Sequence, residues 1–239
     1  MKTYRYYDLI LGAYVCVLLC ANLIGAAKET TVHVPVIGSV TFLTGVLFFP
    51  ISYLFGDILT EVYGYARDRR VVWSGFAALV FAAVMAFVIV HLPASDFYRS
   101  QQPAVEAIFG NTPRIVTASI IAFWCGSFVN SYVLAKMKIW TGGRMLWTRT
   151  IGSTIFGEGV DSALFYPLAF LGAEGWTTDL VITVALTQWG IKTLWEAVLT
   201  PVTYAIVGFL KRREGVDVFD TDTDFSPFRI AAGAGATGR

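Results

Sequence analysis

A chain of 239 residues, 56% of them hydrophobic and 15% charged, with a net charge of +1, has the composition of a polytopic membrane protein. So even a balance removes the basic excess that a nucleic-acid partner requires. Two histidines, His33 and His91, are too few for histidine-based metal or hydrolase motifs, and Cys16, Cys20 and Cys125 lack C-x-x-C spacing and read as small packing residues. No metal, cofactor or catalytic residue is expected.

Six apolar runs predict an all-α, six-span bundle over residues 1–213, followed by a cytoplasmic tail over 214–239. The first run, about Tyr6 to Ala27, can cross a hydrocarbon core of about 30 Å, so Gly25-Ala26-Ala27 is read as the end of a span and not as a signal-peptidase site. Gly12, Cys16 and Cys20 recur at i, i+4 along it and predict a helix-packing face. The second, about Val40 to Tyr63, holds Asp57 and Glu61 one turn apart, with Pro50 as a kink, and Arg67, Arg69 and Arg70 close it in a basic loop. The third, about Val71 to Leu92, is apolar scaffold, and Pro93 to Pro113 is the longest internal loop. The fourth, about Ile115 to Met137, carries Asn130, which reads as an interhelical hydrogen bond, and a second basic loop holds Lys136, Lys138, Arg144 and Arg149.

The fifth run, RTIGSTIFGEGVDSALFYP from Arg149 to Pro167, places Thr154, Glu158, Asp161 and Phe165 on one helical face, with Ser153 beside them. An acid at the centre of a membrane helix costs roughly 2.5–3.5 kcal/mol on insertion scales, so two imply a protein-lined cavity or a partner. The sixth, about Leu180 to Leu210, is too long for one straight crossing and must tilt, protrude or break near Pro201; Gln188, Lys192 and Glu196 form a polar stripe along it. Asp220, Asp222 and Asp224 alternate like a calcium loop but lack its glycine and distal glutamate, so the tail is read as solvated, with a disordered AAGAGATGR end.

Twelve Lys and Arg lie at the amino terminus, in the second-to-third and fourth-to-fifth loops and at the tail root, against Lys28, Arg99 and Arg114 on the other side; both termini are therefore cytoplasmic. The second and fifth runs then point in opposite directions. Their motifs, Phe55-Gly56-Asp57 with Glu61 and Phe156-Gly157-Glu158 with Asp161, fit a three-plus-three inverted repeat, though four matching positions also arise by chance.

The stretches FPISYLFGDILTEVYGYARDRR, RTIGSTIFGEGVDSALFYP, IKTLWEAVLTPVTY and EGVDVFDTDTDFSPF resemble the bacterial queuosine precursor transporters of the vitamin uptake transporter family, from about Asn22 to Phe228. The resemblance implies import, through the bacterial inner membrane, of 7-deazaguanine precursors of the tRNA base queuosine, chiefly 7-cyano-7-deazaguanine and 7-aminomethyl-7-deazaguanine. It places the family's motif positions on Asn22, Asp57, Glu61, Arg149, Ser153, Glu158, Asp161, Lys192 and Glu196. The expected partners are that small molecule and lipid, with a homo-oligomer left open.

The residues agree with such a ligand. A guanine-like base presents an N1–H and an exocyclic amine side by side, and one carboxylate accepts both. Glu158 is the first choice, with Asp161 or Glu196 for a cationic aminomethyl group, Lys192, Gln188 or Asn22 for the carbonyl, and Trp189, Trp195, Phe156 or Tyr53 for the ring faces. Ser153 and Thr154 complete the set, and Asp57, Glu61 and Arg149 are assigned to gating or coupling. Plainer roles stand beside these: Lys192 with Glu196 as a structural ion pair, and Asp57 and Glu61 paired with Arg67, Arg69 or Arg149. Acids outnumber bases, and burial disfavours a carboxylate's charged form, so one acid would also carry a proton in a secondary carrier. Two other readings are the substrate-binding subunit of an energy-coupling-factor vitamin importer and an intramembrane aspartyl protease. The second rests on Gly56-Asp57 and Gly157-Glu158-Gly159-x-Asp161, whose spacing is wrong for that enzyme.

Overall fold

The computed structural model of the chain describes residues 4–24, 29–34, 38–110 and 113–229; Gly25-Ala26-Ala27 and the AAGAGATGR end lie outside them. In chain order come α1 (Tyr7–Leu23), β1 (Glu29–Val34), β2 (Gly38–Leu43), a 3-10 turn (Thr44–Leu47), α2 (Phe49–Tyr63), α3 (Tyr65–His91), α4 (Gln102–Phe109), α5 (Pro113–Trp140), α6 (Leu146–Phe170) and α7 (Thr178–Glu214). β1 and β2 form one antiparallel hairpin, Glu29 opposite Leu43 and Val34 opposite Gly38, on an otherwise helical chain. By length and hydropathy α3, α7 and the run containing α5 qualify as membrane crossings, and α1 is a shorter apolar helix.

The second span is shorter than expected. Residues 38–43 pair as β2, and Pro50 sits in the first turn of α2, where its missing N–H costs no hydrogen bond, so it opens the helix instead of kinking it. Every residue from Ser52 to Tyr63 except Phe55 is buried, which makes α2 the central helix. Its apolar residues Leu54, Ile58, Leu59 and Val62 pack with Tyr14 and Leu18 of α1, Val71 of α3 and Val207 of α7.

The charged stretches expected to be loops are helix ends. Arg67, Arg69 and Arg70 belong to α3, Lys136 and Lys138 to α5, and Arg149 to α6, while the long internal loop contains α4. Gly64 alone separates α2 from α3, at a φ of 84°, and a Cβ there would lie 2.7 Å from Val218 Cγ1 of the tail. The sixth span stays one helix through Pro201; its 37 residues extend roughly 55 Å at about 1.5 Å per residue, more than the hydrocarbon core.

Two packing expectations are corrected. The Gly12, Cys16, Cys20 stripe faces outward, because α1 buries its opposite face, Tyr14, Leu18 and Ala21. The small residue at that contact belongs to the partner helix: a Cβ on Gly75 of α3 would fall 2.8 Å from Leu18 Cδ2. α5 and α6 also approach closely, so that a Cβ on Gly157 would fall 2.6 Å from Asn130 Cβ. The tail is packed and not solvated. Asp220, 3% exposed, accepts the Tyr65 N–H at 3.0 Å and so caps α3, Arg69 donates to the Asp224 and Ser226 carbonyls, and Trp73 donates to the Pro227 carbonyl.

Candidate functional site

Two clusters of buried charge stand out, one at the end of the bundle where the tail docks and one at mid-bundle, while Asp68 is buried apart from both and accepts from Ser131. In the first, Glu61 of α2 meets Arg149 of α6 at 2.9 Å and Lys211 of α7 at 2.6 Å, with Lys138 of α5 at 3.5 Å. Lys138 spends its three protons on the Glu61 carbonyl, Asp217 and the Val218 carbonyl. Arg149 also donates to the Arg144 carbonyl and to Thr141. Partial burial would raise the Asp217 carboxyl, but hydrogen bonds and charge from Lys138 and Lys211 outweigh it and hold the group below the usual aspartate range. Of the arginines expected to pair with Glu61, Arg149 does so. Lys138 and Lys211, read from sequence only as topology signals, complete the cluster.

Asp57 takes no arginine. Its Oδ1 accepts from Asn130 at 2.7 Å, the interhelical bond expected of that asparagine, and from Ser153 of α6 at 3.3 Å. Glu61 facing Arg149, and Asp57 facing Ser153, show α2 and α6 running antiparallel through the core.

The mid-bundle group centres on Lys192 of α7. Its Nζ lies 2.7 Å from Asp161 Oδ2, hydrogen-bonded, and 2.9 Å from Glu158 Oε2 in an ionic contact. The Lys192–Glu196 pair is therefore not formed: rotation of α7 aims the lysine at α6, and neither Glu196 oxygen meets a hydrogen-bond donor among the described residues. The charged neighbours of Glu196 are Asp57 and Glu158. Glu158 Oε1, Thr154 Oγ1 and Gln188 Oε1 are also buried without a partner among the described residues. Natural proteins rarely bury so many polar atoms unpaired outside functional sites.

Beside Lys192 lies a cavity of about 940 Å³, walled by α1, α3, α4, α5, α6 and α7 with the start of α2. Asp161, Lys192 and Asn22 reach it; Asn22 accepts from Ser119 of α5 and donates to the Leu18 carbonyl. Glu158, Glu196, Ser153 and Thr154 are fully buried and, like Gln188, outside the lining. The ring-stacking candidates fare differently. Phe156 is 59% exposed on the outer surface, Trp189 and Trp195 donate to the Ile155 and Leu47 carbonyls, and Tyr53 is buried away from the cavity. The cavity's aromatics are Phe49, Phe87, Phe109, Phe165, Tyr166 and Phe170, with Lys192 Nζ 4.9 Å from the Phe49 ring. Within apolar runs, no sequence signal separates a ring facing a cavity from one facing lipid.

Apolar helices around a charged centre that opens on a cavity define the class as a helical membrane protein with an internal polar site, the architecture that transporters use. Residues 44–206 match the family described as "Putative vitamin uptake transporter", and the chain belongs to that family. It is 32% identical over 189 residues, 78% of each chain, to the "Probable queuosine precursor transporter" of Bacillus subtilis (strain 168). To the "Queuosine precursor transporter" of Escherichia coli (strain K12) it is 25% identical over 167 residues, 68% of this chain and 71% of the relative. No solved structure matches the chain.

Proposed function

We propose that the chain imports 7-deazaguanine precursors of queuosine, 7-cyano-7-deazaguanine and 7-aminomethyl-7-deazaguanine, through the bacterial inner membrane as a proton-coupled secondary carrier with both termini cytoplasmic. The observation that carries this reading is the Asp161–Lys192 pair at the wall of the cavity, flanked by Phe49 and Tyr166. The Asp161 carboxylate and the aromatic faces beside it complement the paired N–H donor edge and the flat rings of a guanine-like base. The names of both relatives support the same substrate. The surplus of buried acids, with Glu196 unpaired beside Asp57 and Glu158, supports the proton as coupling ion.

Direct binding to the purified protein in detergent tests the substrate. Both deazaguanines are expected to bind more tightly than guanine, and Asp161→Asn to weaken them by about tenfold or more, the scale of one lost charge-assisted bond. Equal affinity for guanine, or undiminished binding by the variant, would remove the reading.

A further inference from the structure

Two acids stand one turn apart on α6, and a single lysine serves both. Lys192 is hydrogen-bonded to Asp161 at 2.7 Å, whereas its 2.9 Å contact with Glu158 is ionic without hydrogen-bond alignment, and Glu158 Oε1 meets no donor among the described residues. Glu158 therefore has acceptor capacity to spare. The two acids also differ in reach: Asp161 and Lys192 line the cavity, while Glu158, at 0% exposure, lies behind them.

We infer that Lys192 and the ligand compete for Asp161, and that Glu158 is the acceptor to which the lysine retreats when the ligand binds. The inference rests on the substrate reading above and assigns the roles of its three charged groups. A ligand arriving through the cavity meets Asp161 first and offers it N–H donors, either the paired edge of a flat heteroaromatic base or an alkylammonium group. Taking Asp161 from a buried lysine would ordinarily leave an unpaired charge, which is strongly unfavourable. Glu158, already within 2.9 Å, removes that penalty, because Lys192 turns its hydrogen bond to the acid behind it. The Phe49 ring, 4.9 Å from Nζ, presents a face to whichever cation occupies the seat. Glu196 lies one turn further along α7, beside Glu158 and Asp57, and takes no part in the exchange. On this account the second acid of α6 keeps the first one available.

The exchange predicts a pattern that no single variant gives. Affinity for 7-aminomethyl-7-deazaguanine is measured on purified full-length protein, using variants that elute as monodisperse species. Asp161→Asn loses binding by about tenfold or more because the ligand's acceptor is gone. Glu158→Gln also weakens binding, because the lysine has nowhere to go. Lys192→Gln tightens binding, since the competitor is absent. The deciding comparison is between double variants: Lys192→Gln restores binding to Glu158→Gln but not to Asp161→Asn. If Glu158→Gln with Lys192→Gln stays as weak as Glu158→Gln alone, Glu158 touches the ligand itself and the inference is overturned. Should Lys192→Gln not fold, difference infrared spectra of the wild-type chain with and without ligand decide. At saturating ligand, two perturbed carboxylate bands, one of them missing and the other retained in Glu158→Gln, support the exchange, and a single perturbed band overturns it. Failure of the wild-type chain to bind the ligand would instead sink the substrate reading.

Discussion

Glu61 Oε1 is shared by three cations, Arg149 at 2.9 Å, Lys211 at 2.6 Å and Lys138 at 3.5 Å, and its side chain is 1% exposed. Removing its charge leaves Asp217 as the acid facing Lys138 and Lys211, and no ion pair for Arg149 among the described residues. Breaking a buried ion group from one side costs about 3–5 kcal/mol, against about 0–1 kcal/mol for an exposed pair. Glu61→Gln is therefore expected to lower the unfolding temperature in detergent clearly. Asp96→Asn, which removes an exposed partner of Arg99, should leave it unchanged. Equal shifts in the two variants would show that the Glu61 cluster contributes no more than a surface pair.

At the scale of elements, the tail works as a strap. Asp217 joins Lys138 of α5 to Lys211 of α7, Asp220 caps α3, and Arg69 and Trp73 grip the chain from Asp224 to Pro227. Because the folded Asp217 carboxyl titrates below its unfolded value, its contribution is complete above the ordinary aspartate value of about 3.9 and is lost as pH falls through the folded one. Protease cleavage in the tail should stay slow through neutral and mildly acidic pH and quicken only below the usual aspartate range, whereas Asp217→Asn should quicken it already at pH 7. Cleavage of the variant at the wild-type rate would show that Asp217 does not hold the tail. Hydropathy marked the apolar runs well but misplaced their ends, for a physical reason. Arg67 to Arg70 and Lys136 to Lys138 lower the local hydropathy like a loop, yet they are helical because groups from other elements receive several of their charges, as Asp217 and Glu61 receive Lys138. The solvated reading of the tail failed likewise, since the N–H that Asp220 caps lies 155 residues away in sequence.

For the whole molecule, helical spacing alone was enough to put Glu158 and Asp161 on one buried face and Lys192 on a polar stripe of the last helix. It could not say that Lys192 would turn to α6 and leave Glu196 unpaired, because that depends on how two helices are rotated against each other. Nor could it separate Asp161 at the cavity wall from Glu158 behind it, a difference made by one helical turn. The proposed function is movement of a deazaguanine across a membrane through Asp161. Its most direct test is uptake of radiolabelled 7-aminomethyl-7-deazaguanine by proteoliposomes under an inward-directed proton gradient. The account predicts accumulation well above protein-free vesicles, a fall when the gradient is dissipated, and loss by about tenfold or more in Asp161→Asn. Uptake no greater than in protein-free vesicles, or undiminished in Asp161→Asn, would contradict it.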